Sequence, residues 1–468
     1  MHRISAIKDI LKVSISNIIK LLAGVLVGFL LPRIIGVTDY GYYKTFTLYA
    51  TYVGLFHFGI NDGIYLYFGG KDFKELNKKD FRGYFRSLLF IELSISIIVA
   101  AIAIFALEAD YRFIFLCLSI YLVFNNLTVY FQYISQATRR FSELSIRNII
   151  QSMCISLGVI VCAYLYRYKN VYISYKTYTI IYISVFAFLT FWYIYTYRSI
   201  TIGKGINNTK AFASIVKFVK LGMPLMIANL CSSLILSLDR QFVNILFSTN
   251  TYAVYAFAYN MLALITTATS AVAVVLYPNL KRMDDNTLKI YFDRLVRIIL
   301  IIVFVGLSSY FPLNLFVNWF LPQYSNSLPI FRIIYPGLAV SSAVTIVIHN
   351  YYKTTGKNLL FFRQSVVILV ISGCLNFIAY RIFGTTNSIS WASIFTMIMW
   401  YLISISFFVK KYYIRWVKTF IYMIIMMLAF YSISLLSNQW VGMIIYFLVF
   451  CIISIIFFKD YIMKIIGF

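Results

Sequence analysis

Apolar runs of about 20 residues, the length that carries a helix across a bilayer, recur along the whole chain. There are fourteen, at 13–32, 42–68, 84–107, 112–135, 145–166, 177–197, 219–246, 253–278, 295–320, 329–352, 359–382, 389–409, 417–436 and 441–458. The connections are short, and none is long enough to fold as a separate domain. The pattern predicts an all-α polytopic membrane protein with 14 transmembrane helices. Composition excludes a soluble core: 62% of residues are hydrophobic, 12% are charged and the mean hydropathy is +0.84.

A net charge of +26 would suggest nucleic acid in a soluble protein, but here the excess sits in the turns between spans. Sorting the 41 Lys and Arg by alternate loops puts 31 on the side of the N-terminus and 7 on the other, leaving Lys20, Lys44 and Arg240 within spans. Basic loops stay in the cytoplasm, so both termini are expected there and no nucleic-acid partner is implied. One outer loop, with Arg167, Lys169 and Lys176, runs against the rule. Arg3, Lys8 and Lys12 precede an apolar run with no small-residue cleavage site, which predicts a retained first span. The six cysteines all fall in apolar spans, and His2, His57 and His349 are scattered, so no disulfide, metal site or cofactor is expected. No GxxxxGK[ST] run is present, which argues against direct ATP hydrolysis.

The chain also repeats. Thr138, Arg147 and Ala163-Tyr164 recur as Thr354, Arg363 and Ala379-Tyr380, at a constant offset of 216. At that offset Asn125 and Asn126 meet Ser341 and Ser342, and each span continues a polar face: Asn125, Thr128, Gln132 and Gln136 in one, Ser341, Thr345, His349 and Lys353 in the other. Spans one to six thus read as duplicated in seven to twelve. An even six-helix unit repeats in the same orientation, so two lobes related by a pseudo-two-fold along the membrane normal are expected. The predicted division is 1–200 for the first lobe, 201–411 for the second and 412–468 for two extra C-terminal helices.

Charges inside hydrocarbon are functional candidates because each costs at least about 2.5 kcal/mol at a helix centre. The seventh span carries Asp239-Arg240, and Asn229, Ser233, Ser237, Arg240 and Asn244 follow at steps of four, four, three and four, which draws one polar stripe down a helix. That stripe either packs on a neighbouring helix, with Asp239 neutralising Arg240, or walls a water-filled cavity that holds an anion. In the first span Asn17, Lys20, Gly24 and Gly28 share a face of small residues, from which Lys20 either meets a ligand or snorkels to the cytoplasm. Arg33 stands at that span's outer end and Lys44 one turn into the second span. Gly59, Asn61, Asp62 and Gly63 weaken the inner part of the second span, a break tolerated where backbone lines a cavity or is buried in protein. Glu92 in the third span lies about two turns from the cytoplasm, in reach of a loop lysine. Tyr335-Pro336-Gly337 reads as a kink, because proline removes a backbone donor.

The run Leu31-Pro32-Arg33-Ile34-Ile35-Gly36-Val37-Thr38-Asp39-Tyr40-Gly41-Tyr42-Tyr43 resembles the opening of Wzx-type polysaccharide-lipid flippases. Phe141-Ser142-Glu143-Leu144-Ser145-Ile146-Arg147-Asn148-Ile149-Ile150-Gln151 resembles their fifth-span entry, and Leu238-Asp239-Arg240 followed by Thr251-Tyr252-Ala253-Val254-Tyr255-Ala256-Phe257-Ala258-Tyr259 resembles their seventh span and its turn into the eighth. The resemblance implies the superfamily of multidrug, oligosaccharidyl-lipid and polysaccharide exporters, with two six-helix lobes around a cavity that opens alternately to each side. It implies a non-enzymatic flippase of the inner membrane that moves undecaprenyl-diphosphate-linked oligosaccharides for O-antigen or capsule synthesis. Its partners would be that glycan and membrane lipids, with a polysaccharide polymerase and a chain-length regulator as candidates. Carried over by position, the cavity residues are Lys20, Arg33, Lys44 and Arg240 with Asn229, Ser233, Ser237 and Asn244; Asp62 and Asp239 would gate or couple an ion. Asn260, Thr266, Thr267, Thr269 and Ser270 of the eighth span would add sugar or phosphate contacts. The extra helix pair would hold the lipid tail. A drug exporter of the same superfamily would be expected to show a surplus of buried carboxylates, and the surplus here is basic. A membrane-embedded polymerase would need acid-base residues in a substantial loop.

Overall fold

The structure is a computed structural model that describes residues 2–281, 283–414 and 416–466; some side chains, including 267–275, lie outside those described. All regular structure among the described residues is helical. Contacts divide the chain into two compact units, Met1–Leu230 and Cys231–Phe468.

The first unit opens with α1 (His2–Ile34), α2 (Val37–Ala50) and α3 (Ile60–Phe68). It continues with α4 (Lys78–Ala106), α5 (Ala109–Ala137), α6 (Phe141–Lys169), α7 (Tyr175–Thr196) and the short α8 (Arg198–Thr201). Most of α9 (Asn208–Ile235) belongs to it as well. Polar residues at the aqueous ends start these helices: Asn77 accepts the Lys79 amide at 3.0 Å and Ser174 that of Thr177 at 3.4 Å, filling donors that a first turn leaves free. α5 is the centre of the unit, packed by α2, α3, α4, α6 and α7, and α1 lies along α6.

The second unit contains α10 (Leu238–Leu246), α11 (Thr249–Leu280), α12 (Asp285–Gly306) and α13 (Tyr310–Phe320). Next come α14 (Ser327–Ile334), α15 (Gly337–Ser342), a π-helical turn at Ala343–Ile348 and α16 (His349–Thr354), then α17 (Asn358–Phe383) and α18 (Thr386–Tyr412). The last two helices, α19 (Trp416–Ile433) and α20 (Gln439–Ile466), pack on each other, and α20 lies on α12 and α13. Asp284 and Thr385 cap α12 and α18 as Asn77 caps α4. The kink expected at Tyr335-Pro336-Gly337 is present: the helices either side of it are bent by 43°.

The repeat expected from the 216-residue offset is visible in how each unit packs. Adding 216 to α5 (109–137) gives 325–353, the span of α14 to α16, and adding it to α6 (141–169) gives 357–385, the span of α17. In the first unit the α5 segment contacts α2, α3, α4 and α7; in the second, the α14–α16 segment contacts α11, α12 and α18. The contact division between the units falls inside α9, at Leu230. The reason is a backbone contact: a Cβ on Gly222 would run into the Gly59 carbonyl, and one on Gly63 into the backbone of Phe218, so the first half of α9 is held against α3.

The predicted spans overlie helical segments, but those at 42–68, 219–246 and 329–352 are interrupted, at 51–59, 236–237 and 335–336. Among the described residues eleven helices are long and apolar enough to cross a membrane, or twelve with the bent pair from Ser327–Ile334 and Gly337–Thr354.

Candidate functional site

In the first unit the second span breaks. α2 stops at Ala50, the chain tightens into a 3-10 turn at Val53–His57, and Phe58 and Gly59 adopt left-handed conformations with φ of 49° and 76° before α3 begins. Glycine is required at 59, since a Cβ there would sit 2.5 Å from the Met223 nitrogen. The break turns polar groups inward. His57 Nδ1 accepts the Gly59 amide at 3.1 Å, so in the neutral ring the proton sits on Nε2. That nitrogen lies 3.7 Å from Asp62 Oδ2, while the Tyr133 hydroxyl of α5 donates to Oδ1 at 3.5 Å. Both His57 and Asp62 are buried.

A second group adjoins it. Asn61 Nδ2 donates to the Asn126 carbonyl at 3.1 Å, and Asn126 Nδ2 donates to the Val53 carbonyl at 3.0 Å and to Glu92 Oε2 at 2.9 Å. Glu92 is 0% exposed, which corrects the expectation that it pairs with a loop lysine. Its face of α4 is turned into α5.

In the second unit Asp239 and Arg240 stand in the first turn of α10. The polar stripe expected on one helix is divided: α9 ends at Ile235, Ser237 has φ −134° and ψ −3°, and α10 starts at Leu238. Ser237 and Asn244 are buried, whereas Asn229 and Ser233 are exposed. A two-residue turn after α10 sends α11 back against it, which brings Tyr255 and Tyr259, one helical turn apart, onto Asp239. Asp239 Oδ2 accepts the Tyr255 hydroxyl at 2.8 Å and also that of Tyr259, and Oδ1 accepts the Arg240 amide at 2.8 Å.

The Arg240 side chain points elsewhere. Nη2 donates to the Leu236 carbonyl at 3.2 Å, the guanidinium lies 4.8 Å from the centre of the Tyr259 ring, and Nε is buried without a hydrogen-bond partner. Among the described residues no ion pair joins it to Asp239. Of the two readings of the stripe, the one with a direct Asp239–Arg240 side-chain pair is not the arrangement seen: the carboxylate accepts instead from two tyrosines and a backbone amide. Chemically this is a cation on an aromatic face beside a locked acid, an arrangement suited to an anionic oxygen.

The remaining candidates stand on α1, α2 and α11. Lys20 is exposed on α1 and Arg33 is exposed in its last turn, after Pro32. Lys44 is half-buried on α2, over the rings of Tyr40 and Tyr43 at 5.2 and 6.0 Å. Asn260 is half-buried on α11, and Thr266 donates to the Ala263 carbonyl at 2.9 Å. The side chains of Thr267, Thr269 and Ser270 lie outside those described. Sequence reasoning named Tyr255, Tyr259 and Asn126 but gave none of them a contact in the site. The four-residue spacing of the two tyrosines was the available signal, and nothing local identified Asn126 as the partner of Glu92.

The chain matches the family model for polysaccharide biosynthesis proteins over residues 6–284, more than half of its length. Its fold is similar to that of a lipid II flippase, MurJ, in an inward closed conformation, with a TM-score of 0.70 at 17% identity over 97% of this chain and 100% of that one. An inward-facing multidrug resistance MATE family transporter of the MOP superfamily gives a TM-score of 0.63 at 11% identity, over 85% of this chain and 94% of that one. A MOP superfamily transporter from Pyrococcus furiosus, whose binding pocket is described as reversed in polarity, gives 0.55 at 12% identity, over 86% of this chain and 94% of that one. At these identities the likeness is one of fold. No curated protein matches the chain.

Proposed function

Because the chain belongs to the polysaccharide biosynthesis protein family, we propose that it is a flippase that moves undecaprenyl-diphosphate-linked oligosaccharide units from the cytoplasmic to the outer leaflet of the inner membrane. The product would feed O-antigen or capsule synthesis, and both termini would face the cytoplasm. The observation that carries this reading is the state of Arg240: its own neighbouring acid is held by Tyr255 and Tyr259, so its charge is left for a diphosphate. A diphosphate crossing hydrocarbon needs its hydration replaced, and charge-assisted bonds in a poorly screened site supply that. Lys20, Arg33 and Lys44 are the further basic contacts in this reading, with Asn229, Ser233, Ser237 and Asn244 bonding the sugars.

The scheme is alternating access by two six-helix lobes, 1–200 and 201–411, with the pair at 412–468 holding the lipid tail. Release requires a second input. The membrane potential supplies about 2.3 kcal/mol per charge per 100 mV, and in this reading exchange of a proton or cation at Asp62, or at Asp239 once its tyrosines let go, would be the alternative drive. A polymerase and a chain-length regulator would act on the delivered unit.

Deletion of the gene tests the reading. The strain should accumulate a lipid-linked glycan, identified by mass analysis, on the cytoplasmic leaflet. Normal surface polysaccharide, combined with sensitivity to cationic drugs, would favour a drug exporter of the same fold.

A further inference from the structure

The linker that leads from α8 into α9 is held by two arginines of α4 that meet at one residue. Gly203 takes φ 115°, in the left-handed region that favours glycine, and a Cβ there would lie 2.9 Å from Arg82 Nη1. Arg86, one helical turn further along α4, donates from Nη2 to the Gly203 carbonyl at 2.6 Å. Arg82 donates from Nε to the Ser199 carbonyl at 3.1 Å and from Nη1 to that of Lys204 at 3.3 Å. Both guanidiniums are thus fixed against Gly203 by backbone oxygens.

Those carbonyls hold the two cations but do not neutralise them. Residues 197–210 contain no acid, and they add Arg198 and Lys204, both exposed. The acids of α4 are Asp80, in its first turn, and Glu92, which is buried on Asn126 of α5. Among the described residues no ion pair includes Arg82 or Arg86. Arg82 Nη2 and Arg86 Nε and Nη1 make no hydrogen bond there, so each fork keeps donors to offer. Like charges fixed side by side repel, and an anion that meets both relieves the repulsion. A phosphate does so through charge-assisted bonds to the two planar forks.

What carries that phosphate follows from the face on which Arg86 stands. Arg86, Phe90, Leu93 and Ile97 follow at steps of four, three and four, so they line one side of α4. Phe90 is 73% exposed, Leu93 45% and Ile97 69%, whereas Leu88 and Glu92 on the other side are buried. Because α4 is long and apolar enough to cross a membrane, this stripe is open to lipid, and Arg86 stands one turn beyond its polar end. A free phosphate would use the arginines alone. A phospholipid uses both features, with its phosphodiester on the forks and an acyl chain on the stripe. The surplus of cations, with no acid for a choline to meet, selects a headgroup of net negative charge.

We propose that Arg82 and Arg86, set by Gly203, form a headgroup site for an anionic phospholipid whose acyl chain lies along Phe90, Leu93 and Ile97. The site is built wholly within the first unit and does not depend on what the protein carries. A lipid bound there would fasten the 198–208 linker to α4 at the membrane surface.

Lipid retention by the purified full-length chain in detergent, counted by native mass spectrometry, tests this with phosphatidylglycerol and phosphatidylcholine of the same chains. The wild type should retain phosphatidylglycerol several-fold better. Arg86→Gln, which keeps a donor for the Gly203 carbonyl and removes the charge, should abolish that preference, whereas Arg167→Gln, in the last turn of α6, should not. Phe90→Ala should weaken retention several-fold without a change of charge, and it decides the matter if Arg86→Gln does not yield folded protein. Equal retention of the two lipids by the wild type, or a preference that survives Arg86→Gln, would overturn the proposal. Release by inorganic phosphate as readily as by phosphatidylglycerol would overturn the role of the stripe, and preferential release by undecaprenyl diphosphate would overturn the phospholipid as occupant.

Discussion

Tyr255 donates its hydroxyl to Asp239 Oδ2 at 2.8 Å across the turn between α10 and α11, and Tyr259 donates to the same oxygen. This holds the acid on two tyrosines, with no direct side-chain pair to the arginine beside it. Replacing both tyrosines with phenylalanine should free the carboxylate to pair with Arg240. Export should fall at least about 10-fold, as expected when charge-assisted bonds of about 1.5 to 3 kcal/mol are rerouted. Each single variant should lower the melting temperature, because a hydroxyl bond to a buried carboxylate is lost. Wild-type export by the double variant would mean that the tyrosines only pack.

Gly222 and Gly63 allow α9 and α3 to meet at the backbone, and alanine at either site has no room. Gly222→Ala and Gly63→Ala should each destabilise by about 2 kcal/mol or more, seen as loss of the monodisperse peak in detergent and a lower melting temperature. Gly54→Ala is the control, since nothing lies within 4 Å of its added Cβ. Equal stability of all three would contradict the close approach.

The spans were legible because hydropathy depends on length and composition, which tertiary contacts do not alter. The break at Gly59 was legible as well, since glycine beside Asn61 and Asp62 weakens a helix locally. The break at Ser237 was not: Leu236 and Leu238 flank it, and no glycine or proline marks it. The contacts of Tyr255 and Tyr259 were not legible, because their partner lies 16 and 20 residues back, across a turn. Glu92 was misread for a related reason: counting turns from the cytoplasm gives depth but not which face meets α5.

Topology follows from the basic residues. Reporter domains fused after Ser248 and after Thr287 should report opposite sides of the membrane, since α11 lies between them. The same side for both would mean that α11 does not cross, and the two-lobe scheme would fail.

Arg240 itself separates packing from binding. Arg240→Ala should reduce surface polysaccharide by about 10- to 100-fold, the loss expected for one or two charge-assisted bonds of about 1.5 to 3 kcal/mol, while the protein remains in the membrane at normal abundance. Arg240→Lys should keep part of the activity, because lysine retains the charge but not the planar fork. Full export by Arg240→Ala would return the polar residues of α9 and α10 to a packing role.

The most direct measurement uses purified protein in liposomes that carry a fluorescent, short undecaprenyl-diphosphate glycan, with leaflet position read by a membrane-impermeant quencher. The account predicts that the wild type moves the label to the opposite leaflet, faster under an imposed ion gradient or potential, and that Arg240→Ala does not. A label that stays on its starting leaflet under every gradient, while the same vesicles expel a cationic dye, would contradict it.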